Sequence, residues 1–450
     1  MQYAIERYVA ELGLDAYLVG GAVRDELLGL PSKDFDFLVP GVDHAGLKAA
    51  LAPHGRVEDL EVAGQLVGLR LYPREREIRA LAPAGIEFAP PRAERSTGPG
   101  RHDFEIVADP SISVEEDMRR RDFTVNAIAR HLSTGELVDP FDGAADLKAR
   151  VLRTVSPRSF EEDPLRLVRG LRFVSQLELD PDGETLRQLH EHAASVKLVS
   201  GERIGGGLHA DGLGELSRLL LGSHPAKALR LARDTGVLAE LMPEFAPAIG
   251  FVQPSKRQHL TLDEHVFAVV QAAADAGAPL TVRLGALLHD LGKPQASEAH
   301  AEESATIARG ILSRLRYPTA LRRRVVALVR AHAFHVEPAD KLHARRFLRE
   351  HGDELALELV AHKQADLRGK KPDAREEEEL DRFGALVRAE RVQPHRLDQL
   401  AIDGNDLIAL GVEPGPALGR ALDQLLTEVV ENPAANTRDH LLGRVREVLA

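Results

Sequence analysis

The sequence predicts an α+β protein: an N-terminal α/β head built on a small mixed sheet, followed by an all-helical body. Three observations carry this expectation. Up to about Val155, short apolar runs of strand length alternate with helical patterns. From Ser159 onward strand signals almost vanish, and amphipathic helices follow one another between Gly, Pro and Asp punctuation. The 450 residues suffice for two to four domains and a large buried core.

The head is organised around residues 17–39, YLVGGAVRDELLGLPSKDFDFLV. Tyr17–Val19 is a short apolar run that ends at Gly20-Gly21, as a buried strand feeding a tight turn would. Paired glycines let the backbone turn sharply and approach a ligand closely. Residues 22–28 place Val23, Leu27 and Leu28 on one helical face, and Gly29 stands where a helix ends. Asp34-Phe35-Asp36 opens a second strand, so that Asp34 and Asp36 share one face and Phe35 and Phe37 the other. A helix over 44–51, strands over 66–71 and 85–89, a helix over 114–129 and a strand over 136–138 complete the head. The acidic run 376–379 reads as a solvated helix start or loop, and stretches near 251–255 and 393–394 as candidate boundaries.

Composition narrows the functional classes. The chain has no cysteine, hence no disulfide or thiolate metal site, which suits a reducing cytoplasm. Residues 1–12 read as a charged helix without the apolar core of a signal peptide, and no apolar run is long enough to span a bilayer. A net charge of −12 argues against indiscriminate nucleic-acid binding, but not against a groove lined by local basic patches.

Two carboxylates on one strand face repel and raise one pKa unless a cation joins them. Hard oxygen ligands at this spacing suit magnesium. The Gly-Gly turn at a helix start supplies backbone N–H donors for phosphates. Singly, such features usually mean a turn and a solvated strand face. Combined within one short unit, they describe a phosphate-and-metal site suited to two-metal phosphoryl or nucleotidyl transfer.

LVGGAVRDELLG followed by KDFDFLV resembles the signature of the class II tRNA nucleotidyltransferase and poly(A) polymerase family, which includes the CCA-adding enzymes. The resemblance implies that Asp34 and Asp36 hold Mg2+, with Gly20, Gly21 and Arg24 at the nucleotide and Glu87 as a third carboxylate on a neighbouring strand. It also implies a flexible loop at 91–104, whose useful charges are Arg92, Arg95 and Arg101. Arg120 to Ala127 matches the family's R-R-D-F-T-x-N-A string. Asp122 and Asn126, at i and i+4 of the expected helix, would address one ribose, with Arg121 at the phosphates. Residues 139–143, DPFDG, resemble a hinge-like link. EDPLR at 162–166 matches the motif in which Asp163 and Arg166, three apart on a helix face, select the base without a template. A plain i, i+3 salt bridge is the commoner meaning of such a pair. Arg169 and Arg172 extend the same basic side toward nucleotide phosphate or the tRNA end. SGERI at 200–204 resembles a last motif that supports the neck, although Gly205-Gly206-Gly207 departs from the usual continuous helix.

A second set, His265, His289-Asp290 and Asp366, resembles the HD phosphohydrolase superfamily, with His300 and His332 as further candidate ligands. Histidine and carboxylate ligands of this kind suit Zn, Mn, Ni or Fe. A lone histidine is more often structural.

The expected organisation is a nucleotidyltransferase head at 1–155, a helical neck at 156–250 that binds nucleotide and tRNA, an HD-type domain at 251–375 and a helical tail at 376–450. The expected activity is addition of CCA to tRNA 3′ ends from CTP and ATP, in the cytoplasm and without a membrane partner. The alternatives are a poly(A) polymerase, a CC- or A-adding enzyme, or a metal-dependent phosphohydrolase with an RNA-binding head. Oligomeric state is open.

Overall fold

The computed structural model describes residues 2–449 except 33–34, 63, 97–103, 108, 207–211, 254–256, 258 and 297–298. The chain divides into two compact units, Met1–Pro243 and Glu244–Ala450. The α+β expectation holds.

In the first unit the strands are β1 (Tyr17–Val19), β2 (Asp36–Leu38), β3 (Gly55–Val62), β4 (Gln65–Pro73), β5 (Ile86–Ala89), β6 (Ala93–Ser96), β7 (Phe104–Val107), β8 (Ala129–His131) and β9 (Leu137–Val138). Seven of them form one mixed sheet in the order β3-β4-β5-β2-β1-β8-β9. Only β2 and β5 run parallel within it, with Asp36 opposite Glu87 and Phe37 opposite Phe88. Phe37 and Phe88 are each 1% exposed and their rings lie 5.5 Å apart, so apolar packing on one face fixes the register that places the carboxylates on the other. Burying each of these side chains contributes about 2 kcal/mol.

The helix Gly21–Leu27 follows β1 directly. It ends as its sequence indicates: Gly29 takes φ +68°, and the N–H of Leu30 returns to the carbonyl of Asp25 at 2.8 Å. The helix His44–Leu51 starts on Asp43, whose side chain accepts from Gly46 N.

Three expectations need correction. The helix foreseen over 114–129 stops after Val114–Arg119, which a Ser113–Glu116 capping box opens. Beyond it Phe123 is extended and buried, and pairs with Thr154 in an isolated antiparallel bridge. That tertiary pairing takes the backbone out of the helix; a short 3-10 turn, Thr124–Asn126, leads on to β8. Gly143 packs against this turn so closely that a Cβ there would lie 2.0 Å from the Thr124 carbonyl oxygen. Part of the loop foreseen over 91–104 is strand: β6 pairs antiparallel with β7. Finally, 163–166 is not one helix face. Asp163 ends the short helix Ser159–Glu162 with φ −145° and ψ 102°, and the next helix is Leu165–Leu177. Pro164 is the cause, since a residue before proline is pushed to extended backbone.

The second unit is helical among its described residues apart from one bridge, Val252 with Thr261. Helices Leu262–Asp275, Leu280–Leu288, His300–Arg314 and Thr319–Ala331 precede the long Lys341–Arg368, which is kinked at Gly352. The acidic run lies near the start of the helix Ala374–Glu390. Ile402, Leu407, Leu425, Val429, Leu441 and Val445 form a separate small core at the C-terminal end. No helix among the described residues is long and apolar enough to cross a membrane.

Candidate active sites

In the first unit a cleft of about 900 Å³ opens over the middle of the sheet, where β2 and β5 lie side by side. Its lining brings together Gly20, Gly21, Arg24, Asp36, Glu87, Arg92, Arg121, Asp122, Asn126, Asp163, Arg166, Arg169 and Arg172. Asp34 and Arg101 lie outside the described residues, and Arg95 is on β6. Gly20 has φ +68°, and a Cβ there would stand 2.7 Å from Arg121 Nη1. The turn therefore favours glycine for its conformation, and a Cβ would also have to displace the Arg121 guanidinium. Glu87 accepts a hydrogen bond from Arg70 on β4.

A continuous chain of charged and polar groups runs across the cleft wall. Arg24 Nη1 donates to Asn126 Oδ1 at 2.6 Å, and Asn126 Nδ2 donates to Asp122 Oδ1 at 3.0 Å. Arg169 Nε donates to Asp122 Oδ2 at 2.8 Å, and Arg169 Nη1 to Glu215 Oε1 at 3.1 Å. Arg172 Nε lies 3.0 Å from the other oxygen of Glu215. Asp122 and Asn126 thus meet as foreseen, across a 3-10 turn rather than along a helix. Burial opposes ionisation of Asp122, but Arg169 and the Asn126 hydrogen bond outweigh it and hold the carboxyl well below the usual range. Burial pulls the Arg172 guanidinium down to about 10, so it remains charged at neutral pH. Arg172, Arg24 and Arg169 gather around the Phe173 ring, at 4.3, 5.3 and 5.9 Å from its centre. The buried Asp117 similarly carries Arg120 and Arg121, at 2.8 and 3.2 Å.

Asp163 and Arg166 both face the cleft but are held separately. Arg166 Nη1 donates to Ser159 Oγ at 3.0 Å and to Glu162 at 3.1 Å, and its Nη2 donates to the Arg120 carbonyl at 2.7 Å. Asp163 is gripped by Arg203. Sequence reasoning missed Glu215 altogether, because a lone acid in an apolar helix has no signature. It met Arg203 only as part of a supporting motif.

The second unit gathers all six residues of the other set. The carboxylate of Asp290 has two sides. Its Oδ2 lies 3.4 Å from His265 Nε2 and 3.1 Å from His289 Nε2, whereas its Oδ1 lies 3.5 Å from both His300 Nε2 and His332 Nε2. Asp366 Oδ1 approaches His265 and His289 at 3.2 and 3.6 Å. His265 Nδ1, His289 Nδ1 and His332 Nδ1 each meet a backbone carbonyl, those of Gly369, Ala286 and Val329. Those contacts occupy each Nδ1 and turn each Nε2 toward the centre, the atom that would ligate a cation once deprotonated. His265 Nε2, His289 Nε2 and Asp366 Oδ1 are buried without a well-directed hydrogen bond. This donor set fits divalent cations, in two groups that share Asp290. Burial works against a proton on His289, but Asp290 and Asp366 beside it push the imidazole up to about 9. Lys293 and Lys370 complete the wall, each 2.5 Å from one of the two carboxylates. His362, one turn before Asp366, was not foreseen. It is fully buried, neither ring nitrogen has a hydrogen-bond partner, and its ring lies 4.9 Å from that of His289. Burial holds it neutral.

The fold and the cleft define a template-free nucleotidyltransferase head joined to a helical body, and comparison with known proteins agrees. The family described as Poly A polymerase head domain matches residues 16–153, and that described as tRNA nucleotidyltransferase domain 2 matches 300–445. The chain is 37% identical over 335 residues to a Multifunctional CCA protein of Azoarcus sp. (strain BH72), covering 72% of this chain and 74% of that one. It is 34% identical over 382 residues to a Multifunctional CCA protein of Cupriavidus necator, covering 80% and 86%. The Bacillus stearothermophilus CCA-adding enzyme in complex with CTP superposes with a TM-score of 0.69 at 25% identity, over 99% of this chain and 95% of that one. The chain belongs to the tRNA nucleotidyltransferase and poly(A) polymerase family, on the CCA-adding side of it. Membership implies a divalent metal in the transferase reaction.

Proposed function

We infer that the chain completes tRNA 3′ ends without a nucleic-acid template, adding C, C and then A from CTP and ATP. The carrying observation is Asp36 paired with Glu87 at the edge of an arginine-lined cleft. Asp34 and Asp36 would hold Mg2+, with Glu87 beside them. Bound there, divalent cations supply charge neutralisation at the triphosphate and acidify the terminal 3′-hydroxyl. Gly20 and Gly21 let the backbone approach the phosphates. Arg24, Arg169 and Arg172 offer their positive charge to the triphosphate, and Asp122 and Asn126 orient the ribose. C and A share an exocyclic amine where U and G carry a carbonyl. Asp163 accepts from that amine, while Arg166 donates to a ring acceptor. The relatives named Multifunctional CCA protein support this substrate choice, as does the fold shared with a solved Thermotoga maritima CCA-adding enzyme complexed with tRNA, at a TM-score of 0.58. The segments 1–155, 156–250, 251–375 and 376–450 serve as head, neck, HD-type domain and tail. The body grips the acceptor arm by shape and backbone. Substrates of this kind suit a protein of the cytoplasm.

The test is extension of tRNA transcripts ending before CCA, after CC, and complete, with CTP and ATP separately and together. Addition of CC and one A, then arrest, is expected. A long A tail means a poly(A) polymerase, and CC or A alone means a split-function enzyme.

The second unit supports a second reaction, hydrolysis of phosphate esters. The unpartnered Nε2 atoms of His265 and His289 beside Asp290 and Asp366 favour it. His265, His289, Asp290 and Asp366 would hold one divalent ion, Ni, Mn, Zn or Fe, with His300 and His332 extending the set across Asp290. Such an ion supplies Lewis-acid polarisation of a phosphoryl oxygen. Lys293 and Lys370 hold the two carboxylates in place. Release of p-nitrophenol from its phosphate ester, assayed with each metal, tests this reading. No hydrolysis with any of them removes it.

A further inference from the structure

Asp163 has little freedom. Arg203 Nη1 donates to its Oδ1 at 3.2 Å and Arg203 Nη2 to its Oδ2 at 2.8 Å, a two-pronged fork, and Leu165 N donates to Oδ1 at 3.0 Å. A carboxylate accepts at about four lone-pair sites. Those three bonds leave one site, on Oδ2. Both side chains are about one-fifth exposed, at 20% and 18%, and both line the transferase cleft.

The fork is itself held rigidly. Arg203 lies on the π-helical turn Glu202–Gly206. The Gly205 carbonyl of that turn accepts from Ser217 Oγ at 3.1 Å and from Gly214 N at 3.0 Å, and Ile204 is 3% exposed. The anchor is therefore a second segment of chain, 40 residues from Asp163. A guanidinium fork fixes the plane of a carboxylate, whereas an ammonium would fix only its charge.

We propose that Arg203 is a specificity-positioning residue: it locks the Asp163 carboxylate so that one acceptor direction faces the base, admitting the amine of C or A and rejecting the carbonyl of U or G. This rests on the reading of Asp163 as the base-selecting acceptor. An unlocked carboxylate turns, and a protein or solvent donor can bridge it to a carbonyl. The cost falls on discrimination more than on turnover.

The experiment measures kcat/KM for CTP against UTP on a tRNA transcript ending before CCA, and for ATP against GTP on one ending in CC. It uses full-length wild type, Arg203→Lys, Arg203→Ala and Asp163→Ala, with melting temperatures recorded on the same preparations. Arg203→Lys is expected to lower both ratios about tenfold or more, the scale of one hydrogen bond to a charged group. Arg203→Ala should lower them at least as far. A salt bridge that only braced the helix junction would lower the melting temperature and leave the ratios alone. Ratios lost in Asp163→Ala but kept in Arg203→Lys overturn the inference alone. Ratios kept in Asp163→Ala overturn the base-selection reading and this inference with it. Should Arg203→Ala fail to fold, Arg203→Lys, which keeps the charge and the aliphatic stem, decides.

Discussion

The two polar centres of this chain are opposite in sign. In the transferase cleft the buried acids Asp117, Asp122 and Glu215 are already bound by arginines, and the arginines outnumber them. That wall waits for an anion. In the histidine cavity the carboxylates of Asp290 and Asp366 face imidazoles whose Nε2 atoms lack directed partners. That wall waits for a cation. A net charge of −12 predicts neither, because each centre is set by a few side chains held by local backbone. Desolvation makes both arrangements costly until the ligand arrives.

The sharpest way to break the comparison is to disable one centre at a time. Asp36→Ala should reduce nucleotide addition by about a thousandfold or more, as loss of an electrostatic catalytic group does, and leave ester hydrolysis intact. Asp290→Ala should do the reverse. Both activities are measured on each purified variant. Loss of both from either substitution would mean that the centres are not independent.

Glu215→Gln tests the arginine side. It keeps the shape and removes the charge that Arg169 and Arg172 share. Breaking a buried pair costs about 3 kcal/mol, so denaturant unfolding should show a clear loss, with a raised KM for CTP and ATP. An unchanged midpoint would mean that the chain from Arg24 to Arg172 is not a structural unit. The cation side is tested by metal removal and return. Saturating divalent ion at a hundred times its dissociation constant should stabilise by about 2.7 kcal/mol, read as a shift in the unfolding midpoint. His289→Ala should abolish the part of that shift that Asp36→Ala leaves in place.

Much of this was legible before the structure. The 17–39 unit could be read because alternation and paired glycines are local signals, and the helix expected over 44–51 is present, opened by the Asp43 cap. β3 was missed. A register shift between Leu60 and Glu61 breaks the alternation that marks a strand. The helix over 114–129 was overextended because its end is dictated from afar, by Phe123 pairing with Thr154. Asp163 was misplaced despite a visible signal, the proline after it. Glu215 and His362 carry none: what singles them out is burial beside charges that arrive from other parts of the chain.

The smallest effect expected concerns Asp122, where the anion-binding wall meets acid. Its folded pKa is held below the usual range by Arg169, so the unfolded chain binds its proton first as pH falls. Stability rises with pH wherever the unfolded state holds more protons. The contribution of Asp122 is therefore complete above its unfolded value of about 4 and declines as pH drops toward the folded one. Between about pH 5.5 and 3 the wild type should lose about 1 kcal/mol through this group. Asp122→Asn should be less stable at neutral pH, because Arg169 loses a buried partner, yet flatter by that amount in acid. Parallel acid profiles for the two proteins would show that Asp122 does not carry the coupling between this turn and the helix Leu165–Leu177.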